Sequence, residues 1–202
     1  MKNVIEHYNQ LIDENNDPVH DPKPLREYMD KWDGTKFIDS MELDKSKSVL
    51  EIGVGTGRLA IKVAPNCGRF VGIDISPKTI ERARENLSSN NNNIELICAD
   101  FMSLVLDGRF DVIYSSLTFM HIKDKASAIQ KIASLLNTNG LFVLSIDKNQ
   151  SDFIDMGTRK IKIYPDNPTD VCHFIDDANL ELTCQFETDN AHVIVSKKVS
   201  LV

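Results

Sequence analysis

Val49-Leu50-Glu51-Ile52-Gly53-Val54-Gly55-Thr56-Gly57-Arg58 decides the fold. A short apolar run with an acidic residue near its end enters a loop that has glycine at every second position. Helix-forming sequence follows at once. Bare backbone at Gly53, Gly55 and Gly57 permits positive φ in the turn and lets a ligand approach where a Cβ would clash. The stretch departs from the dinucleotide fingerprint G-x-G-x-x-G, because Arg58 fills the third-glycine slot and Glu51 puts a carboxylate where a pyrophosphate would lie. Such a loop suits an organic ligand whose charge near the protein is not mainly phosphate.

Outward from this loop, apolar runs at 48–53, 69–74, 94–98, 110–115 and 140–146 alternate with helical patterns, the signature of βαβ units around a parallel sheet. Their near-continuous hydrophobicity fits strands buried on both faces. One helix is expected from Gly57 to just before Pro65. A second has Ser76 as N-cap, Pro77 at its first position and Ile80, Ala83 and Leu87 on its buried face. A third is expected over about 124–136, with Asn137 to Gly140 ending it. Leu180–Phe186 and Ala191–Ser196 flank the turn Thr188-Asp189-Asn190 and read as an antiparallel hairpin. The fold class is therefore α/β: a doubly wound, mostly parallel seven-stranded sheet with a C-terminal antiparallel hairpin, spanning 48–198. Residues 1–47 read as a helical extension, a possible lid or substrate region, with one apolar face from Val4, Ile5, Tyr8, Leu11 and Ile12. Residues 148–168 are expected to be irregular apart from a short strand at Ile161–Tyr164.

The 202 residues suffice for one well-buried α/β domain. With 23 basic and 30 acidic residues the net charge is −7, which argues against a polyanionic partner. No apolar stretch is long enough to span a membrane, and the first residues lack the apolar core of a signal peptide, so the expected location is the cytoplasm. The four cysteines show no C-x-x-C spacing and read as reduced thiols, with no metal site.

In open α/β sheets, ligands sit outside the carboxyl ends of the strands. After the glycine loop, the second end supplies Asp74-Ile75, 21 positions beyond Gly53, where a carboxylate can accept bonds from two ribose hydroxyls or simply cap a helix. The third supplies Asp100-Phe101, an acceptor for an adenine amino group beside a ring that can cover the base. The fourth supplies Ser115-Ser116, whose carbonyls can receive an ammonium. Glu51 either bonds the turn's own backbone or meets the ligand. Arg58 is either solvated or a clamp for a ligand carboxylate. His121 is the candidate general base, with packing against the next helix as the alternative. His7, Tyr8 and Trp32 are candidates for a lid.

With these residues the chain resembles class I S-adenosylmethionine-dependent methyltransferases of the small-molecule type, over roughly 45–198. The resemblance implies a Rossmann-like fold, with Glu51–Gly57 holding the methionine part of the cofactor, Asp74 the ribose and Asp100-Phe101 the adenine. Phe110–Ile122 would face both cofactor and acceptor. It implies S-adenosylhomocysteine as product, a small-molecule acceptor, and neither nucleic acid nor membrane as partner. An S-adenosylmethionine-binding regulator and an NAD-dependent oxidoreductase are the competing readings. Acceptor identity and oligomeric state are not legible.

Overall fold

The computed structural model of the chain describes residues 2–157 and 159–200. Three helices lead: α1 (Lys2–Asp13), α2 (Lys23–Met29) and α3 (Gly34–Asp39). The alternating core follows with β1 (Ser48–Ile52), α4 (Ala60–Val63), β2 (Arg69–Asp74), α5 (Pro77–Asn86), β3 (Ile94–Cys98), β4 (Phe110–Ser116), α6 (Lys125–Leu135) and β5 (Leu136–Asp147). A small hairpin, β6 (Phe153–Asp155) with β7 (Lys160–Lys162), precedes α7 (Pro168–Asp177), β8 (Leu180–Glu187) and β9 (Ala191–Lys198).

Seven strands form one sheet in the order β3-β2-β1-β4-β5-β9-β8, parallel from β3 to β5 and antiparallel at β9 and β8. Strand order reverses between β1 and β4, so the crevice for a ligand opens at their carboxyl ends. Side chains alternate across β1. Leu50 and Ile52 join the layer under α6 and α7, while Val49 joins the layer that holds Phe37, Ile80 and Leu87. Two apolar layers on opposite faces are what a doubly wound sheet requires.

Helix α5 matches the expectation: Ser76 Oγ accepts from Thr79 N–H, Pro77 opens the helix, and Ile80, Ala83 and Leu87 are buried. The helix expected from Gly57 is shorter than read. Gly57 has φ +96°, outside helical space, and a 3-10 turn at Ala64–Asn66 takes over where Pro65 cannot donate. Strand β5 begins earlier than expected, because Leu136 pairs with Phe110 across a bulge before the regular register starts at Val112 and Leu141. Within 148–168, the expected strand near Ile161 finds its partner in Phe153–Asp155. Helix α7 was not anticipated; Asn167 caps it by accepting from the N–H groups of Thr169 and Asp170. Among the described residues no helix is long and apolar enough to cross a membrane.

Candidate functional site

At the end of β1 the chain turns sharply, and the N–H groups of Gly53 and Val54 both donate to the Ile73 carbonyl at 2.8 and 2.9 Å. Gly53 and Gly55 carry φ of +82° and +57°. A Cβ on Gly53 would fall 1.9 Å from Thr118 Oγ1, so this glycine is required by packing. A Cβ on Gly55 would meet nothing within 4 Å. It borders a cavity of about 560 Å³, in the size range typical of small-molecule sites.

The strand ends deliver the expected groups to this cavity. Asp74 Oδ2 accepts from Gly55 N–H at 3.1 Å, and its Oδ1 accepts from Ser76 N–H at 2.9 Å. Burial pushes its carboxyl up, against those two backbone bonds. Each oxygen keeps a free acceptor position. Ile75 and Asp100 also border the cavity, and Asp100 Oδ1 accepts from Met102 N–H at 3.1 Å. Phe101 lies beside Asp100 with its ring buried, and Lys131 Nζ sits 4.9 Å from that ring's centre. Glu51 is buried and accepts from Tyr114 O–H at 2.7 Å. Burial raises its carboxyl to about 8, with Tyr114 and the Arg58 cation pulling the other way.

Three residues stand differently from the sequence reading. Arg58 borders the cavity, but it is no free carboxylate clamp. Its Nη1 lies 3.0 Å from Asp33 Oδ1, its Nη2 is held by Asp33 Oδ2, and Asp30 approaches at 3.5 Å. Ser115 is fully buried and donates to the Ile52 carbonyl at 2.9 Å, away from the cavity lining. Side chains alternate along a strand, so it is Ser116 that borders the cavity, donating to Asp33 Oδ2 at 2.9 Å.

His121 borders the cavity, in a 3-10 turn after β4. Nε2 is hydrogen-bonded to Tyr8 O–H at 2.8 Å, and Nδ1 is buried without a partner among the described residues. Burial, with His7 and Lys125 nearby, lowers the ring to about 4, so it is neutral at physiological pH. A base this weak is poorly matched to removing a proton near pH 7. Through Tyr8, His121 ties α1 to the turn after β4.

The roof over the cavity comes from the N-terminal helices, through Tyr8, Leu25, Tyr28 and Met29 among others. Of the three lid candidates only Tyr8 borders the cavity. Trp32 Nε1–H instead donates to Asp147 at 3.0 Å, and His7 accepts from Arg159 Nε–H at 2.9 Å. Two buried carboxylates that sequence reading did not single out tie the roof down. Asp33 is held by Arg58, Ser116 and the N–H of Gly34. Asp17 accepts from Asn86 Nδ2 at 3.1 Å and pairs with Arg82 at 3.3 Å. Asn86 also donates to the Thr56 carbonyl, linking this anchor to the glycine loop. Lone Asp-Pro and Asp-Gly pairs look like ordinary turns, and only their distant partners reveal the anchoring.

The sequence profile of the family described as "Methyltransferase domain" matches residues 43–199. A ubiquinone biosynthesis O-methyltransferase from Thiobacillus denitrificans is 28% identical over 169 residues, which cover 81% of this chain and 69% of that relative. Other curated relatives are matched over only 39% to 54% of their own length. Among solved structures, magnesium protoporphyrin IX methyltransferase from Synechocystis PCC 6803, with S-adenosylhomocysteine bound, superposes with a TM-score of 0.77 at 16% identity and covers 98% of each chain. The [4+2]-cyclase SpnF superposes at 0.76 with 14% identity, covering 98% of this chain and 96% of the cyclase. At such identities the likeness is one of fold, and the cyclase shows the same architecture around another reaction.

Proposed function

The chain belongs to the methyltransferase-domain family of S-adenosylmethionine-dependent enzymes, and from that premise we propose that it methylates a small-molecule acceptor in the cavity above β1 and β4. The cavity fits the cofactor on its own terms: Gly55 opens onto space that a side chain would fill, and Asp74 keeps unused acceptor positions at the same edge. In this proposal Glu51 and the Gly53–Gly57 loop hold the methionine part. Asp74 takes the ribose hydroxyls with Ile75 beside it, and Asp100 with Phe101 takes the adenine. Arg58 anchors the roof through Asp33, and Ser115 secures β1. Residues 1–47 serve as lid and acceptor region for a methyltransferase domain over 48–198.

The cofactor brings a methyl carbon on a sulfonium, electrophilic as bound. The protein's own contribution is alignment and exclusion of water. Positioning of this kind is worth on the order of 7–11 kcal/mol. The roof residues Tyr8, Leu25 and Met29 border the same cavity as the glycine loop and the strand ends. With His121 tied to Tyr8 and held neutral, the proposal uses no general base, which favours an acceptor atom whose lone pair is already free. A cytoplasmic location without a nucleic-acid partner belongs to the same proposal, supported by the net charge of −7 and by four unpaired cysteines.

The observation that carries this reading is Asp74, bonded by the loop it faces and still able to accept. Calorimetry with S-adenosylhomocysteine tests it: Asp74→Ala should bind at least tenfold more weakly, as the loss of charge-assisted bonds worth roughly 1.5–3 kcal/mol predicts. Unchanged affinity in a folded variant removes the ribose assignment. Tighter binding of NADH than of S-adenosylhomocysteine would favour an oxidoreductase. Cofactor binding with no S-adenosylhomocysteine release across a broad acceptor panel would favour a regulator.

A further inference from the structure

Helix α2 forms part of the cavity roof, yet it contains no buried residue. Leu25 and Tyr28 are 51% and 50% exposed although both border the cavity, and half-buried Met29 borders it beside them. This face is held in place. The Tyr28 ring stands edge-on to Trp32, with centres 5.3 Å apart, and Trp32 is bonded to Asp147 at the end of β5. A fixed apolar wall inside a cavity gains when an apolar ligand displaces its water.

Charge narrows the class of ligand. Of the acidic residues that border the cavity, Glu51, Asp74 and Asp100 belong to the proposed cofactor subsite, which leaves Asp21 on the acceptor side. Among the described residues the cation bordering the cavity is Arg58, and its terminal nitrogens are held by Asp33 and Asp30. An anionic acceptor entering beside the bound cofactor would lose its hydration and meet Asp21, with the one guanidinium already engaged. A neutral or cationic molecule avoids that cost. Asp21 is half-buried in the stretch between α1 and α2, close in sequence to the apolar face.

Building on the methyltransferase reading, we propose that the acceptor is a small apolar molecule without an anionic group, seated on Leu25, Tyr28 and Met29, and that Asp21 sets its charge preference. The test uses three probes of one shape: 1-naphthylmethanol, 1-naphthylmethylamine and 1-naphthoate, each titrated calorimetrically into S-adenosylhomocysteine-loaded protein near neutral pH. The alcohol and the amine are expected to bind at least tenfold more tightly than the carboxylate. Asp21→Asn should narrow the gap between amine and carboxylate by threefold or more. A Leu25→Ala, Met29→Ala double variant should weaken the alcohol at least fivefold more than it weakens S-adenosylhomocysteine, whose retained binding also confirms that the variant is folded. Equal binding of the carboxylate, no binding of any naphthyl probe, or indifference to the double substitution each overturns the inference. Failure of S-adenosylhomocysteine itself to bind would instead remove the cofactor assignment on which it rests.

Discussion

On the floor of the cavity, polar groups are fixed by near neighbours in the chain. Asp74 is bonded to residues 2 and 19 positions away, and Asp100 to one 2 positions away. On the roof the spans are far longer. Tyr8 reaches His121 across 113 positions, Ser116 reaches Asp33 across 83, and Trp32 reaches Asp147 across 115. The floor is set by backbone conformation where β1, β2 and β3 end. The roof exists only after the whole chain has folded, and its anchors are buried charges whose value depends on every partner being present. Substitutions on the floor should therefore act through geometry, and those on the roof through unpaired charge.

The sharpest contrast is within the glycine loop. Gly53→Ala combines positive φ with a clash against Thr118, and is expected to lower stability by about 4 kcal/mol in denaturant titrations. Gly55→Ala, with the same chemistry but open space, should cost about 1 kcal/mol and still weaken S-adenosylhomocysteine at least tenfold. Equal stability losses at the two positions would show that packing does not govern the floor. On the roof, Arg58→Ala leaves the Asp33 carboxylate buried without its cation and should cost about 3 kcal/mol. Faster proteolysis within residues 14–32 should accompany it. A near-neutral result would mean that Asp33 is not an anchor.

Glu51 gives a pH test. Its carboxyl is raised to about 8 in the fold, so between the ordinary glutamate value and that point the unfolded chain ionises while the native state stays protonated. Native stability therefore falls with rising pH. Wild type should lose about 1 kcal/mol per pH unit between pH 6 and 7 relative to Glu51→Gln. Parallel stability curves for the two proteins would place a charged Glu51 in the fold. Tyr8→Phe should have the smallest effect, about 1 kcal/mol, from leaving His121 Nε2 unpaired. Turnover falling far more than stability would return a catalytic role to this pair.

How much of this was legible follows from the same division. The glycine loop, Asp74, Asp100 and the Ser76 cap were readable because each depends on residues within one strand–turn–helix unit. The terminal hairpin was readable from its alternation. Helix α7 was overlooked although Asn167-Pro168, followed by Val171 and Ile175, carries a local cap-and-face signal. The partners that Arg58, Ser115 and His121 take in the fold were not legible for another reason. Position at a strand end indicates proximity to the ligand, but not which partner has already claimed the side chain. Asp33, Asp17 and Tyr8 show the limit most clearly, since their partners lie from 25 to 113 positions away.

Strand β9 follows the eight other strands of the described residues in chain order, yet it lies inside the sheet between β5 and β8. Until residues 191–198 emerge, β5 has an unzipped flank and β8 has no partner at all. Between the synthesis of β5 and that of residues 191–198 the nascent chain therefore carries an adhesive hydrophobic margin, and a ribosome stalled in that interval would hold a species prone to cross-pairing with its siblings.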